Sequence, residues 1–139
     1  MEIKKFFPGD DITDAHLVRD TVFITEQGFS YDADEHDAAA WHIVLYDEGT
    51  PVAAGRILKE GADCCHMGRI CVLKHKRGGL GRELMNSLIL FAEELGIGDE
   101  IVVQAQCRVT GFYEKCGFEI CGETYPDEGV PHVPMIRKK

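Results

Sequence analysis

The chain lacks the long apolar segments that would place it in a membrane or in the secretory route. No apolar run approaches the ~18–20 residues that cross a bilayer as a helix. The amino terminus turns polar directly after Phe6 and Phe7, whereas a signal peptide continues with an apolar core. We therefore expect a cytoplasmic protein with no membrane partner.

Positive charge is scarce. The sequence has 24 Asp and Glu residues against 15 Lys and Arg residues, which gives a formal net charge of −9 at pH 7. Phosphate backbones and anionic lipid surfaces repel such a protein. This argues against general nucleic-acid binding and favours a small cationic substrate such as an amine.

Paired cysteines and spaced metal ligands are also missing. None of the six cysteines forms a C-x-x-C pair, and several alternate with apolar residues in apparent strands. This spacing predicts reduced, mostly buried thiols rather than disulfides or a zinc site. The acidic stretch YDADEHD, residues 31–37, has consecutive ligands that are not spaced for one face. We therefore predict no metal.

Hydrophobic patterning predicts a single domain, residues 1–139, of the mixed α/β class. Leu80, Leu84, Leu88 and Phe91 recur at helical spacing in the clearest helix, which Gly96 ends. A first helix is predicted to end at Gly28, and residues 29–40 are predicted to be a loop or a broken helical turn. Strands are predicted over 2–7, 41–47, 51–60, 64–73, 100–107, 117–125 and 130–138, with a short helix over 108–116. The order β-α-β-β-β-α-β-α-β-β predicts a mixed, mostly antiparallel central sheet flanked by helices.

The turn KHKRGGLGR, residues 74–82, concentrates four positive charges and three glycines in nine positions of this acidic chain. It joins an apolar strand to the strongest helix, so unpaired backbone N–H groups and the positive helix end point at one spot. Lys76, Arg77 and Arg82 add charge, which predicts a phosphate or pyrophosphate site. The alternative is a tight turn with solvated basic side chains. Neither the P-loop pattern nor G-x-G-x-x-G is present.

At this turn the sequence resembles a known family. RICVL, the basic glycine turn and ELM are similar to motif A of the GCN5-related N-acetyltransferases, in which an [RQ]-x-x-G-x-[GA] loop holds the pyrophosphate of acetyl-CoA. GFYEKCGFEICGE resembles the later helix-strand signature of that superfamily. VRDTVFITEQGF, HIVLYDEGTPVAAGRI, VVQAQCRVTGFYEKCGF and DEGVPHVPMIRK are similar to its ElaA/YjcF-like branch. The resemblance implies the acyl-CoA N-acyltransferase fold and acetyl-CoA as co-substrate.

The resemblance also implies a set of cofactor-binding residues. They are Cys71, Val72, Lys76, Arg77, Gly78, Gly79, Leu80, Gly81, Arg82 and Gln106. A backbone amide around Cys71 and Val72 is expected to polarise the thioester carbonyl and to pair with the pantetheine arm. If Arg77 takes the usual arginine position, the turn is one residue short. If Lys76 takes it, Gly79 and Gly81 are in register.

Three residues are candidates for the chemistry. Tyr113 occupies the general-acid position that the resemblance implies, where it would protonate the leaving thiolate. A lysine-like amine has a pKa near ~10.4, so roughly one molecule in a few thousand is neutral at pH 7, and a general base is useful. Glu26, near the end of the first helix, and then His132, on the last strands, are the candidates for that base. A water chain can also serve.

The predicted function is transfer of an acetyl group from acetyl-CoA to a primary amine of a small molecule or peptide, by direct attack in a ternary complex. One alternative is an acyl-homoserine-lactone-synthase-like acyltransferase, because VRDTVF, EQG and DEHD resemble the first third of those enzymes. Another is a non-catalytic module that binds acyl-CoA. Homodimers are common in the superfamily, but no feature of the sequence decides the oligomeric state.

Overall fold

In the computed structural model, which describes residues 1–30 and 32–139, eight strands form one sheet with helices on both faces. The strands are β1 (Glu2–Phe6), β2 (Trp41–Asp47), β3 (Thr50–Lys59), β4 (Cys64–Val72), β5 (Glu100–Gln106), β6 (Glu119–Ile120), β7 (Tyr125–Asp127) and β8 (Val130–Lys138). The helices are α1 (Thr13–Arg19), a π-helical segment (Asp20–Glu26), α2 (Leu80–Glu94) and α3 (Thr110–Lys115), with 3-10 turns at Asp37–Ala39, Lys74–Lys76 and Cys107–Val109. The strand order is β1-β2-β3-β4-β5-β8-β6, and β7 also pairs with β8. Only β4 and β5 are parallel among these pairs, which confirms the predicted mixed, mostly antiparallel sheet.

Helices on both faces of the sheet explain the continuous apolar run of β2. Successive strand residues point to opposite faces. Ile43 and Leu45 pack in the cluster that contains α2, whereas Val44 and Tyr46 pack in the cluster that contains α1. All four side chains are buried. Among the described residues, no helix is both long and apolar enough to span a bilayer.

The strands β4 and β5 separate along their length. Their parallel pairing covers Cys64–Met67 and Glu100–Val103 and then stops, although β4 continues to Val72 and β5 to Gln106. The register between β3 and β4 shifts at the same place, where Arg69 has a φ of +51°. The unpaired ends of the two strands are therefore free to line a cleft.

The first helix differs from the prediction in its backbone. The regular α-helix ends at Arg19, and the chain continues as a π-helical segment in which the Gln27 N–H donates to the Val22 carbonyl. Gly28 ends the helix with a φ of +80°, as predicted. The wider turns carry Phe23 and Gln27 to the cleft. The hydrophobic pattern of residues 13–27 does not predict these wider turns.

The penultimate strand predicted over 117–125 was wrong as a single element, because it is divided into β6 and β7. Pro134 of β8 accepts a hydrogen bond from the Cys121 N–H at 2.9 Å but has no N–H to donate in return. A Cβ at Gly122 would lie 2.5 Å from Cγ of Pro134. The proline thus interrupts the ladder, and only glycine fits opposite its ring.

The acidic segment 32–37 is tied to the sheet by a buried cluster of ion pairs, which the sequence did not predict. The cluster contains Arg19, Arg56, Arg69, Asp32, Asp34 and Asp37. Arg19 is 1% exposed, and its Nε lies 2.5 Å from Asp32 while its Nη1 lies 2.9 Å from Asp37. Tyr31 of the YDADEHD stretch lies outside the described residues, and no group of three metal-ligating side chains occurs in the rest of the chain. The acidic side chains of this segment therefore serve mainly to hold arginines.

The six cysteines are free thiols, as predicted. Cys65, Cys71 and Cys116 are buried, two others are half-buried and Cys121 is exposed. Burial raises the pKa of Cys65 and of Cys71 to about 12. These buried thiols are therefore uncharged and pack as small apolar side chains.

The ion cluster predicts how stability depends on pH. Burial alone would raise the pKa of Asp37, but hydrogen bonds and charge from Arg19, His16 and Arg56 hold it well below its ordinary value. A group of this kind stabilises the fold fully above its unfolded pKa of ~3.9, and this stabilisation is lost as the pH falls towards the folded pKa. We expect Asp37→Asn to lower the free energy of unfolding by about 3–5 kcal/mol at pH 7, because Arg19 loses a buried partner. Urea unfolding from pH 7 to pH 3 measures both the loss and its pH dependence.

The matched control is Asp63→Asn, which removes the same charge from an exposed carboxylate. It should change the free energy of unfolding by less than about 0.5 kcal/mol. Equal effects of the two substitutions would show that the cluster does not stabilise the fold.

Candidate active site

A cleft of about 790 Å³ opens where β4 and β5 separate. One side, which we call the turn half, is lined by residues 77–82 of the glycine turn and by α3. The other side, which we call the hairpin half, is lined by β7, β8 and the turn between them. Phe23, Gln27 and Phe29, which follow α1, lie along the cleft between these walls. The structure thus brings the basic turn and the last strands to one cavity.

The glycine turn has the backbone that the phosphate prediction requires. Gly78 and Gly79 have φ values of +115° and +105°, a region that side chains disfavour, and Gly79 precedes the first residue of α2. The first intrahelical bond runs from the Glu83 N–H to the Gly79 carbonyl, so the N–H groups before Glu83 have no partner within the helix. A Cβ at Gly81 would lie 3.4 Å from the Phe112 ring. The turn therefore presents free N–H donors at the positive end of a helix.

Arg77 and Lys76 point to different places. Arg77 lines the cleft, its Nε donates to the Val72 carbonyl at 3.0 Å, and its Nη1 lies 2.8 Å from the Glu26 carboxylate. The Lys76 ammonium pairs with Asp47 at the end of β2 and is not part of the cleft lining. Arg77 is therefore the arginine that the turn presents to the cleft, and Glu26 is held at the edge of the turn.

The other predicted cofactor residues are distributed along the same cleft. Cys71, Val72 and Arg82 line it, whereas the Leu80 side chain is in the core. The Gln106 side chain, at the end of β5, also lines the cleft. Its Nε2 donates to Gln27 at 2.8 Å, and its Oε1 accepts from Arg108 at 2.9 Å.

Tyr113 lies on α3 in the wall of the turn half and is 8% exposed. Its ring packs edge-on against Phe112 and Phe118, with centroids 5.2 and 5.7 Å away. Burial, with smaller contributions from Cys116 and Cys71, raises the pKa of the phenol above its ordinary value. The side chain therefore keeps its proton at every pH at which the protein is expected to work.

His132 lies on β8 in the hairpin half, directly opposite Gln106 of β5 and Tyr125 of β7. Its Nδ1 is 2.8 Å from the Val130 carbonyl, which can only accept, so Nδ1 carries a proton. In the neutral ring Nε2 then has the free lone pair. Among the described residues, the side-chain atoms that are fully buried without a hydrogen-bond partner are Arg56 Nε and Arg137 Nη1. Nε2 of His132 is not one of them. The nitrogen that can accept a proton is therefore accessible from the cleft.

The prediction from sequence missed several residues that line the hairpin half. His66 and Gln104 were assigned to strands, and Tyr125 to the end of a strand, with no functional role, yet all three line the cleft. The available signal was the pair of polar residues two positions apart at the end of β5, Gln104 and Gln106. This pattern marks a strand with one open face.

The fold and the cleft together define the class of the protein. A mixed sheet whose two parallel strands separate beside a glycine turn is the architecture of the acyl-CoA N-acyltransferases. Residues 12–139 match the family described as acetyltransferase (GNAT) domain, and the chain belongs to this family. Acyl transfer from an acyl-CoA is the chemistry of the family.

Individual relatives agree with this assignment. The N-acetyltransferase YjcF of Bacillus subtilis is 35% identical over 133 residues, which cover 92% of this chain and 93% of YjcF. The crystal structure of Escherichia coli ElaA superposes with a TM-score of 0.89 at 26% identity, over 99% of both chains. These relatives confirm the resemblance to the ElaA/YjcF-like branch.

A more distant structure shares the fold and contains a ligand. It is an aminoglycoside 6′-N-acetyltransferase complexed with coenzyme A, and it superposes with a TM-score of 0.77 at 16% identity, over 99% of this chain and 97% of that one. At this identity the comparison concerns the fold alone.

Proposed function

We propose that the protein transfers the acetyl group of acetyl-CoA to a primary amine of a small molecule or peptide, by direct attack in a complex that holds both substrates. One observation carries the proposal. A single cleft contains a free helix N-terminus that suits a pyrophosphate, a buried phenol that keeps its proton, and an imidazole with an accessible lone pair.

The turn half suits the coenzyme A. The free N–H groups before Glu83 and the positive end of α2 favour two phosphates, and Arg77 and Arg82 add charge. Arg77 would exchange the Glu26 carboxylate for the pyrophosphate. The separated strands leave backbone groups of Cys71 and Val72 at the cleft, where the pantetheine arm and the thioester carbonyl need hydrogen bonds.

The hairpin half suits the amine. Asp127 and Glu128 lie at its edge and favour a cation. The ammonium must lose a proton before its nitrogen can attack, and we propose that His132 Nε2 accepts it. Glu26, the first candidate from the sequence, becomes the second candidate, because its carboxylate holds Arg77 and its side chain is not part of the cleft lining.

The neutral amine attacks the thioester carbonyl carbon, the C–S bond breaks, and Tyr113 gives its proton to the departing thiolate, whose free pKa is near ~8.5. The new N-acetyl nitrogen releases its second proton, which restores the Tyr113 phenol through solvent. The products are an amide, CoA with a free thiol and the proton held by His132.

Binding of acetyl-CoA is the first test. We expect titration calorimetry to give micromolar or tighter binding of acetyl-CoA and CoA, and Gly79→Glu to abolish it because a carboxylate then occupies the phosphate position. The matched control is Gly96→Glu, at the other end of α2. Gly96 also has a positive φ and open space around it, so the substitution makes the same charge change at a second left-handed glycine. Lack of binding at millimolar ligand in the wild type would contradict the proposal.

Tyr113→Phe tests the general acid. We expect kcat to fall about 10²–10⁴-fold with an amine found by a free-thiol screen, while CoA affinity is unchanged. The control Tyr46→Phe removes a hydroxyl that donates to Asp14 and does not line the cleft, and it should leave kcat within a few-fold. A non-catalytic acyl-CoA-binding module would show no turnover before or after either substitution.

The base is tested by comparing His132→Gln with Glu26→Gln. We expect His132→Gln to lower kcat about 10²–10⁴-fold, because Nε2 no longer accepts the proton of the amine. Glu26→Gln should leave kcat within a few-fold and should not weaken CoA binding, because Arg77 is then released from its partner. A larger loss of kcat in Glu26→Gln would assign the base to Glu26.

A further inference from the structure

A chain of hydrogen bonds runs from the protein surface to the hairpin half of the cleft. It contains none of the residues that have a role in the proposed acetyl transfer. His66 Nδ1 lies 3.0 Å from the Glu60 carboxylate. His66 Nε2 lies 3.1 Å from Nε2 of Gln104. The Tyr125 hydroxyl lies 2.6 Å from Oε1 of Gln104. These four residues form three consecutive bonds, although 65 positions separate the first and last in sequence.

The sheet places these hydrogen-bonded side chains on the same face as His132. Met67 of β4 and Val103 of β5 face α2, so their neighbours His66 and Gln104 face the other way. His132 lies directly opposite Tyr125 in β7, and directly opposite residues of paired strands share a face. Because α1 packs chiefly on β2, β3 and β4, this part of the face stays open.

The direction of each hydrogen bond follows from what each group can do. The Glu60 carboxylate only accepts, so His66 Nδ1 donates to it and, in the neutral ring, His66 Nε2 is left to accept. Gln104 Nε2 donates to that nitrogen, which fixes the orientation of the amide. Gln104 Oε1 therefore faces Tyr125 and accepts its hydroxyl proton. The lone pairs of the Tyr125 oxygen are then free for another donor.

Tyr125 and His132, the two residues that carry these acceptors, both line the cleft. The rings of Tyr125 and His132 are stacked, with centroids 5.9 Å apart and an interplanar angle of 29°. Tyr125 presents its oxygen, and His132 presents Nε2. Burial, with the Asp127 carboxylate and Cys107, raises the pKa of Tyr125, so its oxygen stays a neutral phenol.

We propose that Tyr125 binds the nitrogen of the acceptor and selects primary amines, and that Glu60, His66 and Gln104 are positioning residues that fix its hydroxyl as an acceptor. The inference rests on the proposed function of the cleft. A primary ammonium has three N–H groups and can donate to Tyr125 and His132 at the same time. A tertiary ammonium has one N–H and can satisfy only one of them.

The walls beside this pair are aromatic and acidic. Phe23 and Phe29 line the cleft with their ring centroids 6.4 Å apart, and Asp127 lies at the edge. An aromatic body with an ammonium group matches these surroundings. Benzylamine and N,N-dimethylbenzylamine are therefore suitable probes, because both carry one positive charge and they differ in the number of N–H groups.

The first experiment determines, without any substrate, which group donates in each hydrogen bond from Glu60 to Tyr125. Long-range ¹H–¹⁵N correlation spectra at pH 8 report which ring nitrogen of His66 carries the proton. We expect the Nδ1–H tautomer in the wild type and a mixture of tautomers after Gln104→Leu, with Glu123→Gln as a surface control. A wild-type His66 with its proton on Nε2 would reverse the chain and overturn the inference.

The second experiment measures the preference for primary amines. Ligand-observed NMR titrations of the CoA-loaded protein should give about tenfold tighter binding of benzylamine than of N,N-dimethylbenzylamine, as expected for one additional hydrogen bond to a charged group. Tyr125→Phe should reduce this ratio to about two, whereas Tyr46→Phe should leave it unchanged. An unchanged ratio in Tyr125→Phe, or no binding of benzylamine at 100-fold excess over the protein, contradicts the inference.

Kinetics separate this inference from the proposed function. With an acetylated amine, Tyr125→Phe should raise KM for the amine about tenfold while KM for acetyl-CoA stays the same, and Glu60→Gln should raise the amine KM by a smaller factor. If no amine is acetylated, the proposed function fails, whereas the tautomer of His66 and the binding preference still decide whether Tyr125 is an amine contact. If Tyr125 had a purely structural role, Tyr125→Phe would lower the stability of the protein and would change neither the tautomer of His66 nor the binding preference for the primary amine.

Discussion

The separation of β4 from β5 is the constraint on which the rest of the molecule depends. Parallel pairing that ended at Val72 and Gln106 instead of at Met67 and Val103 would close the cleft and satisfy the backbone groups that it exposes. The left-handed conformation of Arg69, at the point where the register with β3 shifts, accompanies this separation. Asp32 and Asp34 hold the Arg69 guanidinium, and both carboxylates also bind arginines from α1 or β3. The ion cluster therefore stabilises β4 at the place where it separates from β5.

Charge in this protein is arranged by location rather than by total. The chain is acidic, yet seven of its 15 Lys and Arg residues lie in two places, the buried cluster and the glycine turn. In the cluster they neutralise carboxylates that burial would otherwise destabilise. In the turn they stand beside free N–H groups, where an anion gains most. An acidic rim around the hairpin half then leaves each end of the cleft suited to a substrate of opposite charge.

In the hairpin half, hydrogen bonds determine whether neutral side chains act as donors or as acceptors. A tyrosine hydroxyl can donate or accept, and a neutral histidine has two tautomers. Here Val130 fixes the tautomer of His132, and the chain that begins at Glu60 fixes the hydroxyl of Tyr125. Both groups are left as acceptors, which complements an amine and not a carboxylate. The amine selectivity that we propose would thus arise from contacts with groups that do not touch the substrate.

The sequence by itself determined the features that depend on neighbours along the chain. The period of α2, the glycines that begin and end it, the apolar strands and the family motifs are local, so the sheet class, the basic turn and the GNAT family could be predicted. Tertiary structure alone decided the π-helical segment, the interruption of the penultimate strand at Pro134, the partners of Arg19 and the chain from Glu60 to Tyr125. These features join residues that are distant in sequence, and their contacts depend on strand register and on which face stays uncovered. Register and coverage are set by packing over the whole sheet, which no local pattern of residues records.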